Sequence, residues 1–328
     1  MTAPEPSVAP SGEQLAIAFE DQRAVVVEVG GGIRTYSLGG RELLDGYPVE
    51  ERCSSGRGQL LIPWPNRIQD GRYDFDGRSY QLALTEPELS NAIHGLVRWA
   101  AWDVREREPH RIVVEHVIHP QPGYPFSLEL GVEYSLAEDG LSVRTTATNI
   151  GADPCPYGCG AHPYLRLETE RVDPLLLRAP GRRVLVSDER DLPVGSEPVD
   201  GTDYDFREAR TIGATKLDNA FGDLERDGEG RAHVSLADPR TGTSLTLWVD
   251  EHYPYLMLFT GDSLPDVDRR ALAVEPMTCP PNAFRTGDSV IRLEPGQSTS
   301  GAWGIDPRSG IGTAISSKAG DTAAPARL

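Results

Sequence analysis

The sequence is short of several things that would point to a function class. Four cysteines in 328 residues, Cys53, Cys155, Cys159 and Cys279, are too few and too scattered for a disulfide scaffold. Cys155 and Cys159 have no second pair at metal-site spacing, and His116 and His119 have no carboxylate cluster beside them, so no metal is expected. There is no apolar run of about 18 residues that could form a membrane span. The opening dozen residues have neither a basic start nor an apolar stretch. No signal peptide is read from them, and a cytoplasmic location is expected. Basic residues are outnumbered 32 to 50, and the net charge of −18 repels nucleic acid and anionic membrane surfaces. Gly30-Gly31-Gly32 lacks the spaced glycines and following helix of a nucleotide loop, and no Walker sequence occurs. A small, neutral partner remains.

The chain does hold 34 glycines, 27 prolines and 38% hydrophobic residues, enough apolar material for a core and a heavy share of turn residues. Residues 1–13 and 307–328 are poor in large apolar side chains, so both are expected to be disordered tails around one domain spanning 14–306. Within it, short alternating or β-branched runs recur between Gly, Pro, Asp and Asn. Clear cases are Ala24 to Val29, Arg111 to Ile118, Ser127 to Ser135, Leu141 to Asn149, His233 to Leu236, Ser244 to Val249, Tyr255 to Thr260 and Ser289 to Leu293. Asp76-Gly77 and Asp139-Gly140 read as hairpin turns, which implies antiparallel pairing. Apolar periodicity of 3.6 does not persist beyond about two turns, and Leu217 to Leu224 is the best helical candidate. The fold class expected is all-β, a large antiparallel sandwich with few short helices.

Five short segments hold residues suited to chemistry on a small polar molecule. His94 and His162 sit among glycines and small residues, in Asn91-Ala-Ile-His94-Gly95 and Gly158-Cys-Gly-Ala-His162-Pro163-Tyr164. Histidine transfers protons near neutral pH, and glycine lets backbone approach a ligand closely. Glu275 ends the apolar run Ala271-Leu-Ala-Val-Glu275-Pro276, where a carboxylate is costly unless it is paired or functional. Burial would raise its pKa and suit it to act as a base. Arg67 follows Trp64 where a strand breaks into a loop, which places a donor fork beside a flat apolar face. Asp218, in Lys216-Leu-Asp218-Asn-Ala-Phe221, could accept hydrogen bonds from two hydroxyls or serve only as a turn residue.

In their order along the chain these segments resemble the aldose 1-epimerase (galactose mutarotase) family, as does the closing Leu293-Glu-Pro-Gly296 turn. The resemblance covers about residues 14 to 306. It implies a β-supersandwich that exchanges the α and β anomers of a neutral aldose such as glucose or galactose, with no cofactor or metal. Carried over position by position, it makes Glu275 the general base and His162 the general acid, with Arg67, His94 and Asp218 as sugar-binding side chains. Trp64 is expected to stack on the sugar. Ala161, Pro163 and Leu96 depart from the family's usual residues and suggest a divergent branch. Arg98, in His94-Gly-Leu-Val-Arg98-Trp99, resembles the hexose-6-phosphate 1-epimerases and keeps that activity as an alternative. A non-catalytic carbohydrate-binding protein using Trp64, Trp99 and Trp102 is another, and a glycoside hydrolase or lyase a third. A monosaccharide is the expected partner, with the chain acting as a monomer or homodimer.

Overall fold

A computed structural model describes residues 8–308, and among them β-strands dominate. The strands Leu128–Ala137 and Gly140–Asn149 bury every second residue, so that Leu128, Leu130, Val132, Tyr134 and Leu136 point into the core from one face. That alternation is what a half-buried antiparallel strand requires. The Asp139-Gly140 turn joins the two strands as a hairpin paired from Leu128–Asn149 to Ala137–Gly140. They lie in a nine-stranded sheet with Asp103–Glu108 and Arg111–Ile118 on one side and Ser298–Asp306, Ser244–Val249, Ala232–Ala237, Leu176–Arg178 and Arg210–Thr211 on the other. A second large sheet runs Pro193–Pro198, Gly181–Ser187, Asp218–Leu224, Tyr255–Phe259, Leu272–Met277, Gly160–Ala161 and Leu60–Leu61. The named strands pair antiparallel throughout both sheets. A continuous apolar cluster from Leu15 to Ile305 fills the space between layers.

Two expectations are corrected here. Leu217 to Leu224 is not helical: Asp218–Leu224 is a strand, paired to Gly181–Ser187 on one edge and Tyr255–Phe259 on the other. Leu217, Ala220, Phe221 and Leu224 do fall at helical spacing, but Ala220, Phe221 and Gly222 are all buried, so the pattern arises from a central strand covered on both faces. The expected N-terminal tail is also too long. Ser11 is buried, its carbonyl accepts from the Val29 N–H, and the Glu13 N–H donates to Glu28, so residues 11–13 are held against the four-stranded sheet of Gln14–Phe19, Gln22–Val27, Ile33–Leu38 and Arg41–Glu42. At the other end Arg308 donates to the Glu138 carbonyl. The rest of both expected tails, residues 1–7 and 309–328, lies outside the described residues.

One glycine ties the four-stranded sheet, through Ile33, to the loop that later supports His162. Gly58 takes φ +67°, accepts from the Ile33 N–H and donates to the His162 carbonyl. A Cβ there would lie 1.7 Å from the Ile33 carbonyl oxygen. Gly58→Ala is therefore expected to destabilise the protein by roughly 2–4 kcal/mol, the sum of positive-φ strain and overpacking. A urea unfolding midpoint equal to the parent's would contradict this.

Candidate active site

The chain reaches the site through an interrupted strand. Gly160 pairs with Met277 and Tyr164 with Ala273, so the register sets His162 opposite Glu275 across the break between them. Pro163 lies in that break and has no N–H to donate, while its carbonyl accepts from Val274. On the other edge of Leu272–Met277, Glu275 faces Met257, which in turn faces Ala220. Asp218 lies two residues before Ala220 and so projects on the same side. Strand register alone thus gathers Glu275, His162 and Asp218 on one face.

They line a cavity of about 350 Å³ together with Arg67, His94, Tyr164 and Arg98. His162 Nε2 lies 3.3 Å from Glu275 Oε1, and both side chains are almost wholly buried. The other atom of each group, His162 Nδ1 and Glu275 Oε2, is buried without a partner. Burial pushes the Glu275 carboxyl well above its ordinary range, helped by the charge of Asp218 and opposed by Arg67. Burial likewise pushes His162 down to about 3, with Arg98 and Arg57 adding repulsion. Both shifts favour the neutral forms of the two groups. The His162 ring stacks on Tyr164 at 4.9 Å, and Tyr164 is itself fixed by a bond from its hydroxyl to the Ser55 carbonyl.

His94 is held at φ +62° by a reciprocal pair of bonds with Asn66. Its N–H donates to the Asn66 carbonyl, and its Nδ1 accepts from the Asn66 N–H at 3.2 Å. Burial drives the ring pKa well below its ordinary value, so His94 is neutral and carries its proton on Nε2, as a donor. Gly95 makes this turn possible, since a Cβ there would meet the Ile62 carbonyl at 2.0 Å. Asp218 opens to solvent at the cavity mouth, yet the cleft walls desolvate it and its pKa rises to about 6, Arg67 opposing and Asp191, Glu86 and Asp262 reinforcing the rise.

Arg67 is present but already engaged. Its Nε and one Nη meet Glu86 at 2.9 Å, and the Nη also meets Asp191 at 3.2 Å. Asp191 is brought there by Arg190, which bonds to the Leu89 carbonyl and to Asp70. Neither acidic partner stood out in the sequence, where each is an ordinary loop residue. Trp64 requires correction. It is 2% exposed, packs against Phe284 at 5.8 Å and does not line the cavity. The apolar faces lining the cavity are Ile93, Tyr164, Met257, Phe259 and Leu264. Among the described residues no group of three or more His, Cys, Asp or Glu side chains is placed to hold a metal ion, and no helix is long and apolar enough to cross a membrane.

Comparison with known proteins identifies the family and the fold. The family model described as aldose 1-epimerase matches residues 14–305. The chain is 36% identical over 288 residues to the uncharacterized protein YihR of Escherichia coli K12, covering 88% of this chain and 91% of that one. It is 29% identical over 275 residues to the aldose 1-epimerase of the same organism, covering 73% and 76%. Among solved structures, an aldose epimerase homologue from C. elegans superposes with a TM-score of 0.79 over 89% of this chain and 98% of that one, at 18% identity, a likeness of fold.

Proposed function

Because the chain belongs to the aldose 1-epimerase family, we propose that it interconverts the α and β anomers of an aldose, with Glu275 and His162 as the proton-transfer pair. The observation that carries this reading is the 3.3 Å approach of the two side chains in the cavity, each with a further buried polar atom left without a partner. Ring opening takes the proton from the C1 hydroxyl and delivers one to the ring oxygen as the bond between C1 and that oxygen breaks and a C1 carbonyl forms. Rotation about C1–C2 and the reverse transfers close the ring on the other face. Glu275 as carboxylate receives the hydroxyl proton, and His162 as imidazolium supplies the ring oxygen. In this reading the resting pair holds the one proton the step requires, and the reactive form arises by a shift across their contact rather than by uptake from solvent.

His94 Nε2–H donates to a sugar hydroxyl and Asp218 accepts from one or two, which fixes the ring so that C1 alone turns. Arg67, held by Glu86 and Asp191, contributes mainly by orienting that wall and has few donors left for the sugar. The four buried, unpaired thiols fit a reducing compartment such as the cytoplasm.

Asp218→Asn is expected to lower kcat/KM by roughly 10–100-fold, the worth of a charge-assisted hydrogen bond, through KM more than kcat. Initial rates across sugar concentrations would measure it, and an unchanged KM would remove Asp218 from binding. The proposal itself is tested by polarimetry on freshly dissolved α-D-glucose and α-D-galactose. Relaxation faster than the spontaneous rate supports it, whereas sugar binding with no acceleration would make the chain a carbohydrate-binding protein on an epimerase fold.

A further inference from the structure

The two members of the proton-transfer pair are held differently. Glu275 sits in the middle of a paired strand, where register fixes it. His162 lies in the break between Gly160–Ala161 and Tyr164–Leu165, and its Nδ1 has no hydrogen-bond partner among the described residues. An imidazole that moves protons is usually oriented by a bond to its second nitrogen. Here packing must orient it, and the packing comes from one turn. The Ser55 carbonyl accepts from the Tyr164 hydroxyl, and the Tyr164 ring stacks on the imidazole within 18° of parallel. Gly56 abuts the imidazole itself: a Cβ there would lie 2.8 Å from His162 Cδ2 and 3.2 Å from Nε2, the atom that meets Glu275. Arg57 places its guanidinium 5.9 Å from the Tyr164 ring.

That turn does not hold itself. Ser55, Gly56 and Gly58 have φ of +54°, +73° and +67°, a region that is costly for serine and persists only where the surroundings enforce it. The enforcement comes from Asp266, in the loop that follows Tyr255–Phe259. Its carboxylate accepts from Ser54 Oγ at 2.8 Å, from Ser55 Oγ at 2.9 Å and from Arg57 at 2.8 Å, while its carbonyl accepts a second Arg57 N–H at 2.8 Å. Ser54, Ser55 and Arg57, the residues around Gly56, are thereby tied to one side chain. Burial opposes the charge of Asp266, but the bonds from Arg57, Ser54 and Ser55 prevail and hold its pKa down at about 2, so it is an anion at neutral pH. Asp266 itself is half-exposed and does not line the cavity.

We infer that Asp266 is a positioning residue for the proton transfer: it holds the turn of residues 54–57, and through Tyr164 and Gly56 that turn fixes the His162 imidazole against Glu275. The inference rests on the proposed roles of Glu275 and His162. Asp266 lies outside the cavity, so its loss should leave sugar binding by His94 and Asp218 intact and slow the transfer itself. A displacement of ~1 Å at a reacting group costs up to about 10²-fold in rate.

The test examines Asp266→Ala and Asp266→Asn in the full chain, by anomer exchange of glucose and galactose and by the histidine ring resonances in proton–nitrogen NMR spectra. The His162 signals are assigned by their absence in His162→Gln. In Asp266→Ala, kcat is expected to fall about tenfold or more with KM within about twofold, and Asp266→Asn, which keeps one acceptor oxygen for the serines, should retain part of the rate. The His162 signals should shift or broaden in both variants, while those of His116 and His233, in the nine-stranded sheet, stay in place. An unchanged kcat in both variants, a loss in KM rather than kcat, or unmoved His162 signals would overturn the inference and leave the epimerase reading standing. Should Asp266→Ala not fold, Asp266→Asn decides on the same measures. If the wild type accelerates neither sugar, the epimerase reading fails instead, and the His162 signals alone decide whether Asp266 holds that ring.

Discussion

Glu275→Gln is expected to lower anomer exchange by about 10²–10⁴-fold, the contribution of a positioned general base, while the protein becomes no less stable. The glutamine amide fills the same volume and cannot take the hydroxyl proton. Glu275 lies within Leu272–Met277, where all six residues are buried, and its Oε2 has no partner. A neutral side chain is therefore easier to hold there than a carboxylate. Linkage gives the sign with pH. The folded-state pKa of Glu275 is raised above the unfolded value, so the wild type loses stability relative to the variant as pH rises above the ordinary glutamate range, and the two converge in acid. Denaturant midpoints measured at several pH values should therefore separate with increasing pH. A gap that widens toward acid would show that Glu275 is held as a stabilised anion.

His162→Gln should reduce exchange by a similar factor, and the double variant with Glu275→Gln by no more than the larger single loss. Two groups that share one proton act as a unit, so their losses do not add. The backbone anchors do not depend on the side chain, because the His162 N–H donates to the Gln59 carbonyl and the His162 carbonyl accepts from the Gly58 N–H. The folded-state pKa of His162 is depressed to about 3, so its contribution to stability is present above the unfolded histidine value and is lost as pH falls toward 3. The variant should thus lose less stability than the parent over that acidic window. Single-variant losses that multiply in the double variant would mean that the two residues act in separate steps.

Much of the fold was legible because strand periodicity is local. Arg111–Ile118 and Ser244–Val249 have the bounds the alternation predicts, and both DG hairpins form. Asp218–Leu224 was misread because a strand buried on both faces loses the two-residue alternation, and its apolar residues then fall by chance at helical spacing. At the site, Glu275 was legible as a carboxylate in an apolar run and His162 as a histidine among glycines. Trp64 and Arg67 are three residues apart, and their spacing does not say that one turns into the core while the other lines the cavity. Asp191 left no signal because it reaches Arg67 from a distant loop, set by the Arg190 anchor on Leu89 and Ser90, whereas Glu86 lies 19 residues from Arg67 in a loop whose path the sequence does not declare. Arg98 was visible as a cation. That its guanidinium meets no carboxylate among the described residues is seen only in three dimensions.

The most direct measurement is magnetisation exchange between the α and β H1 resonances of an aldose at equilibrium, recorded with wild-type protein and with Glu275→Gln at the same concentration. Cross peaks growing with wild-type concentration and absent with the variant are the expected result. Cross peaks of equal intensity with both proteins, or none beyond the spontaneous background with either, would contradict the assignment of Glu275 and His162 as the pair that opens the ring.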